Sequence, residues 1–110
     1  MLKKPIIDGN NITVVFGPDN ENYRETAEYN ILFLKNMLNW SRDKLNHQGY
    51  FFFNDLLDAL GMPRLFPEGQ SMGWLATEVI QEFKCDIHRS VFPNETILVF
   101  FTDGNILAKI

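Results

Sequence analysis

Several groups of side chains in this chain have the types and spacing that invite a chemical role. Gly69-Gln70-Ser71-Met72-Gly73 matches Gly-x-Ser-x-Gly, the pattern of a nucleophile elbow. An elbow needs a buried strand before the serine and a helix after it, in a parallel α/β sheet, with an acid and then a histidine further along. Asp86 and His88 follow in that order, but two residues apart on one expected strand they stand side by side and cannot act in relay. Leu65-Phe66-Pro67-Glu68, ahead of the serine, reads as a turn, and 110 residues is short for a hydrolase of that kind. Cys85 and His88 have the spacing of half a metal site, yet on a strand residues three apart face opposite sides and cannot hold one ion. Cys85 then reads as a small core residue and His88 as a solvated one.

Asp55 and Asp58 lie three apart on one face of an expected short helix, a possible carboxylate pair for acid–base or metal chemistry. The plainer role is to complement the positive N-terminal end of that helix, and no neighbouring His or Lys in the sequence completes a catalytic set. Glu78 and Glu82 have helical spacing without a partner motif and read as a solvated face. The expectation is therefore a protein with no catalytic residue, no metal ligand and no cofactor.

The elements around these residues are best marked between Gly49 and Trp74. Tyr50-Phe51-Phe52-Phe53 is an aromatic run too short for a helix and reads as a strand. Asn54 stands where an N-cap belongs, Gly61 where a left-handed residue ends a helix, and Pro63 forbids continuation, so a two-turn helix is expected between them. A Pro67–Gly69 turn then leads into Gly73-Trp74. Upstream, Ile12–Phe16 is β-branched and bounded by Asn10-Asn11 and Gly17-Pro18, which predicts a strand. Asn22 with Glu25 resembles a capping box opening a long helix. Tyr23, Ala27, Ile31, Leu34, Leu38 and Leu45 form its apolar stripe, widened by Phe33, Met37 and Trp40. Closed by Gly49, the helix would be about 35–40 Å long.

Leu75–Gln81 fits a helix or a strand equally. In the tail, Phe83, Cys85, Ile87 and Val91 alternate with polar residues as a half-buried strand. Ile97–Phe101 is continuously apolar, as in a strand covered on both faces. Pro93-Asn94 and Asp103-Gly104 read as turns, and Ile106–Ile110 as a last strand, giving a three-stranded antiparallel meander. Residues 1–110 thus form one α+β domain, with the long N-terminal helix laid on a mainly antiparallel sheet.

Composition narrows the partners. The chain is 45% hydrophobic and 14% aromatic, with ten Phe, so it can bury a core and is not disordered. Ten cations against fourteen carboxylates argue against a nucleic-acid backbone as partner. No run approaches the ~18 apolar residues of a membrane span. The apolar start of the N-terminus is broken by Asp8 and Gly9, unlike a signal peptide, and a lone Cys85 allows no internal disulfide, so a cytoplasmic location is expected. The Asn-x-Ser/Thr triplets at Asn11, Asn39 and Asn94 then read as coincidence.

The pattern aromatic-x-x-Asn-acidic, Leu-Gly-x-Pro-basic, Gly-x-x-x-Gly-Trp is carried by Gly49-Tyr50, Phe53-Asn54-Asp55, Asp58, Leu60-Gly61, Pro63-Arg64, Gly69 and Gly73-Trp74. This segment resembles small proteins of unassigned activity encoded by phages and integrated mobile elements of Gram-positive bacteria. The resemblance implies a mobile-element origin and a shared small fold, and transfers no catalytic residue.

Aromatic excess without a catalytic set points to a non-enzymatic module that binds a protein partner or itself. Tyr50, Phe52, Trp40 and Trp74 are the candidate contacts, since aromatic anchors dominate interfaces. Asn54, Gly61, Pro63 and Gly73 form the structural signature. A small acidic inhibitor imitating nucleic-acid phosphates is the alternative function, and a small hydrolase or metal enzyme the remaining one.

Overall fold

The computed structural model describes residues 4–76, 85–89 and 95–107. Its elements are β1 (Ile6–Asp8), β2 (Asn11–Phe16), α1 (Ala27–Gln48), β3 (Tyr50–Phe52), α2 (Phe53–Leu60), a 3-10 turn (Glu68–Gln70), β4 (Gly73–Leu75), β5 (Cys85–Arg89) and β6 (Thr96–Phe101). The α+β architecture is the expected one, a long helix and a two-turn helix against a mainly antiparallel sheet.

Four strands form an antiparallel sheet in the order β1-β2-β6-β5, and β3 pairs with β4 as a separate two-stranded ribbon. Alternation along the strands divides the sheet into two faces. Ile12, Val14 and Phe16 of β2 and Leu98 and Phe100 of β6 are buried, joined by the half-buried Cys85 and Ile87 of β5. Leu34 and Leu45 of α1, Phe51, Trp74 and the apolar side of α2 (Phe53, Leu56, Leu57, Leu60) close over that face. Phe53 and Trp74 both meet Phe100 edge-on, at centroid distances of 5.7 and 6.1 Å.

The other face of the sheet differs from expectation. Ile97, Val99 and Phe101 are only half-buried, so β6 is fully covered on one side and not on both. In register with them stand Val15, Thr13 and Asn11 of β2 and the exposed Asp86 and His88 of β5. Cys85 and His88 accordingly point to opposite sides of the sheet.

The tail is also rearranged. The second neighbour of β6 is β2, not a strand after Asp103-Gly104. Over its described part, Ile106–Leu107, the expected last strand is absent. The chain turns away instead because Ser71 to Gly73 offer it partners: Ile106 N–H donates to Ser71 O, Gly73 N–H to Gly104 O, and Asp103 N–H to Gly73 O. The Pro93-Asn94 turn, residues 76–84 apart from Ala76, and residues 108–110 lie outside the described residues, and with them most of the ambiguous Leu75–Gln81 and the Glu78/Glu82 pair.

The long helix starts later than the capping pattern predicts. It opens at Ala27, with Thr26 as an extended N-cap, and its 22 residues span roughly 33 Å. Asn22 is engaged elsewhere, and Asn30 organises the approach to the helix. The buried Asn30 side chain accepts from the N–H of Arg24 at 2.9 Å and donates to the carbonyl of Arg24 at 2.7 Å. Gly49, at φ 90°, ends α1 as expected. The buried stripe of α1 holds Leu34 and Leu45 but also Asn30 and Ser41, whose hydroxyl donates back to Met37 O at 2.8 Å.

Asn54 is not an N-cap. Helix α2 begins two residues earlier, with Phe52 as its N-cap, and Phe53 N–H is taken by Met72 O at 2.8 Å as β3 runs on from its pairing with β4. Asn54 thus falls inside the first turn and points inward, only 4% exposed, where its Oδ1 accepts the N–H of Leu65 at 2.8 Å. Gly61 does end α2 in the left-handed region, at φ 73°, where a side chain is strained. Pro63 follows in irregular chain after that turn, and the Phe66-Pro67 peptide is cis. Gly73 serves a different need: a Cβ there would run into the backbone of Phe51 and Phe52 across the ribbon.

Candidate functional site

Packing of α1 beside α2 leaves an open groove of ≈ 420 Å³ between them. Trp40, Lys44 and Gln48 come from successive turns of α1, and Asp55, Asp58 and Ala59 from α2, with the buried Phe51 beneath. The indole of Trp40 stands nearly perpendicular to the Phe51 ring, 6.1 Å between centroids, and remains 45% exposed. Lys44 Nζ stands over the same indole, 5.7 Å from its centroid, in cation–π geometry. Gln48 donates its amide to the carbonyl of Tyr50 at 2.7 Å.

The two carboxylates of α2 have different environments. Asp58 receives two bonds from Arg64, Nε at 3.1 Å and Nη2 at 2.6 Å, the fork-to-fork arrangement of guanidinium and carboxylate. Those bonds, helped by the Arg64 charge, hold the Asp58 carboxyl below its ordinary value against the opposing effect of burial. Asp55, one turn back on the same helix, makes no side-chain hydrogen bond or ion pair among the described residues. Short helices favour an acid at that point because it faces the positive end of the dipole. The sequence shows this carboxylate pair, but not that α1 brings Lys44 and Trp40 to the same groove. Fifteen residues and a change of direction at Gly49 separate Trp40 from Asp55.

The four aromatic candidates are divided among three places. Trp40 lines the groove. Tyr50, 37% exposed, and the half-buried Phe52 lie on the other face of the ribbon from Phe51, 5.7 Å apart. Trp74 belongs to the core: it is 4% exposed, and its Nε1–H donates to Phe101 O at 3.1 Å. Trp74 is thus corrected from a contact residue to a packing residue, while Trp40 and Tyr50 present surface.

The remaining chemical motifs are taken apart by the fold. Ser71 follows a 3-10 turn and leads through Met72 into strand β4, so the strand–serine–helix geometry of an elbow is not formed. Its hydroxyl donates to Glu68 O at 3.3 Å. Asp86 and His88 belong to β5, on the sheet face turned away from the core. Cys85 lies on the core face, and desolvation, with the neighbouring Asp86 carboxylate, pushes its thiol up to about 12. No helix among the described residues is long and apolar enough to cross a membrane, and no group of three potential metal ligands occurs among them.

Two residues outside the signature also serve α2. Asn20 and Asn22 both reach the end of α2, a role hidden in the sequence because the two asparagines lie some forty residues upstream of it. The chain belongs to DUF6353, a family of unknown function, whose model matches residues 2–109. No curated protein and no solved structure matches it.

Proposed function

We propose that this chain is a non-enzymatic protein-binding module that works in the cytoplasm without a cofactor and is encoded by a phage or mobile element. The origin rests on the resemblance carried by Gly49–Trp74. The binding role rests on one observation above all: Trp40 stands at the wall of an open groove, with nearly half of its surface exposed. An exposed indole offers a large apolar area, which is why tryptophan is prominent among interface hot spots. The ribbon face bearing Tyr50 and Phe52 supplies a second aromatic surface at the far end of α1.

The test is affinity purification of the tagged chain from its host beside a Trp40→Ala variant. The variant should keep its thermal midpoint within a few degrees, since the ring touches the core only at its edge. A partner retained by the native chain and lost from the variant supports the module. Retention of the same partners by both, or recovery of none with the chain also monomeric by sedimentation at high concentration, counts against it.

A further inference from the structure

Helix α1 buries one side and leaves the opposite side open. Its buried residues, Asn30, Leu34, Ser41 and Leu45, recur along one face. Across the cylinder stand Tyr29, Leu32, Asn36 and Trp40, three and four residues apart and all exposed. Leu32 is 57% exposed, and Trp40 keeps its open surface with Lys44 already over its ring. Asn36 marks the middle of this stripe, with Leu32 one turn before it and Trp40 one turn after.

Resting on the protein-binding reading above, we propose that this stripe docks on the same stripe of a second copy of the chain, the two α1 helices antiparallel about a two-fold axis at Asn36. The stripe is complementary to itself under that operation. Turning the helix end for end about Asn36 brings Leu32 level with Trp40 of the second copy, Tyr29 level with Asp43, and Asn36 onto Asn36. Leu32 and Trp40 then pack side by side on both sides of the axis, and the Tyr29 hydroxyl reaches a carboxylate acceptor. Charge agrees with this orientation. Glu28 and Arg42 flank the stripe on one side at its two ends, so the acid of each copy faces the base of the other. Within one copy Arg42 meets only Asp43, at 3.5 Å between solvent-facing side chains, a contact weak enough to exchange. A parallel arrangement would set Asp43 against Asp43 and align the two helix dipoles, both unfavourable. The contact follows one helix and is small, so the expected dissociation constant is on the order of 10 μM.

The experiment is sedimentation equilibrium of the full chain between about 1 and 500 μM, a range that brackets the expected constant. The native chain should fit a monomer–dimer equilibrium. Leu32→Glu, at an exposed position that folding does not need, should leave a monomer throughout. Glu28→Arg should weaken the dimer about tenfold, because it places like charges together twice in each pair. Adding Arg42→Glu to that variant should restore the dimer, a rescue that damage to the fold would not give. A native chain that stays monomeric, a dimer indifferent to Leu32→Glu, or a double variant no tighter than Glu28→Arg alone overturns the assignment. The module reading fails separately: a monomeric native chain that still captures a host protein, lost on Trp40→Ala, removes the dimer and leaves the protein-binding role standing.

Discussion

Asn20 donates its Nδ2 to the carbonyl of Leu60, 40 residues away, at 2.8 Å. Leu60 is the last residue of α2, and its oxygen is one of those a helix end leaves without an internal partner. Asn22 Nδ2 approaches the same oxygen at 3.4 Å, and Asn22 N–H donates to Asn20 Oδ1 at 2.8 Å, so a turn before α1 closes the end of α2. Asn20 is buried, and Asn20→Ala should cost about 1–3 kcal/mol in denaturant unfolding, with Asn22→Ala costing less because its bond is longer. An Asn20→Ala chain as stable as the native one would show that this closure contributes nothing.

Asn54 offers a test that separates two roles by location. A capping Asn54 would protect the amides of Leu56 or Leu57, whereas the observed side chain accepts from Leu65. Asn54→Ala should therefore accelerate hydrogen exchange at Leu65, leave Leu56 and Leu57 little changed, and lower stability by about 1–3 kcal/mol. Fast exchange at the helix start instead would restore the capping role.

The legible and illegible parts of the sequence divide along the range of the interactions. The strand at Ile12–Phe16, the ends at Gly49 and Gly61 and the fold class depend on local periodicity and backbone conformation, which neighbouring residues record. The asparagines do not behave that way, because one amide serves equally as a cap, a turn or a distant bond. Asn22 and Glu25 satisfy a capping spacing, yet Asn22 is drawn to Leu60, and the helix waits until Ala27. Ile106–Ile110 alternates like a strand, but the backbone of Ser71–Gly73 claims its start. Trp40 and Asp55 meet across one groove only through the packing of α1 beside α2, which no local pattern carries.

The raised thiol of Cys85 has a consequence for its reactivity. With the thiol pushed up to about 12, the thiolate is scarce at pH 8, and alkylation should be roughly a thousandfold slower than for a free cysteine. The folded value lies above the unfolded one, so the native state retains the proton longer as pH rises. Stability linked to this thiol is complete below about pH 8.5 and declines as pH climbs toward the folded value. Thermal melts between pH 7 and 11 should fall more steeply for the native chain than for Cys85→Ala, and rapid native-state alkylation would show the thiol to be accessible.

Asp58 gives the opposite pH dependence. Its folded value lies below the ordinary one because Arg64 bonds the charged form. The stability it adds is present above about pH 4 and fades as pH falls through the lower folded value. Both side chains are about half exposed, so the effect is small and salt should shrink it. Melts of the native chain and Asp58→Asn should differ slightly at pH 7 and converge as acid protonates Asp58. A gap that persists in acid would exclude the ion pair as its source.

The strand order β1-β2-β6-β5 places a late segment of the chain in the middle of the sheet, and Thr102 Oγ1 donates to Asn10 O across 92 residues. A ribosome delivers the hairpin of β1 and β2, both helices and the ribbon before β6 exists. Contacts between such distant segments require closure of nearly the whole chain before they bring any reward. A copy that stops short of Thr96 lacks the centre of its sheet and not merely an edge, leaving β2 with an unpaired side and the apolar faces of α1 and α2 without their floor. Burial of the core thus waits on β6: a chain without it keeps an open strand edge and uncovered apolar surface, the features that make incomplete chains prone to aggregate.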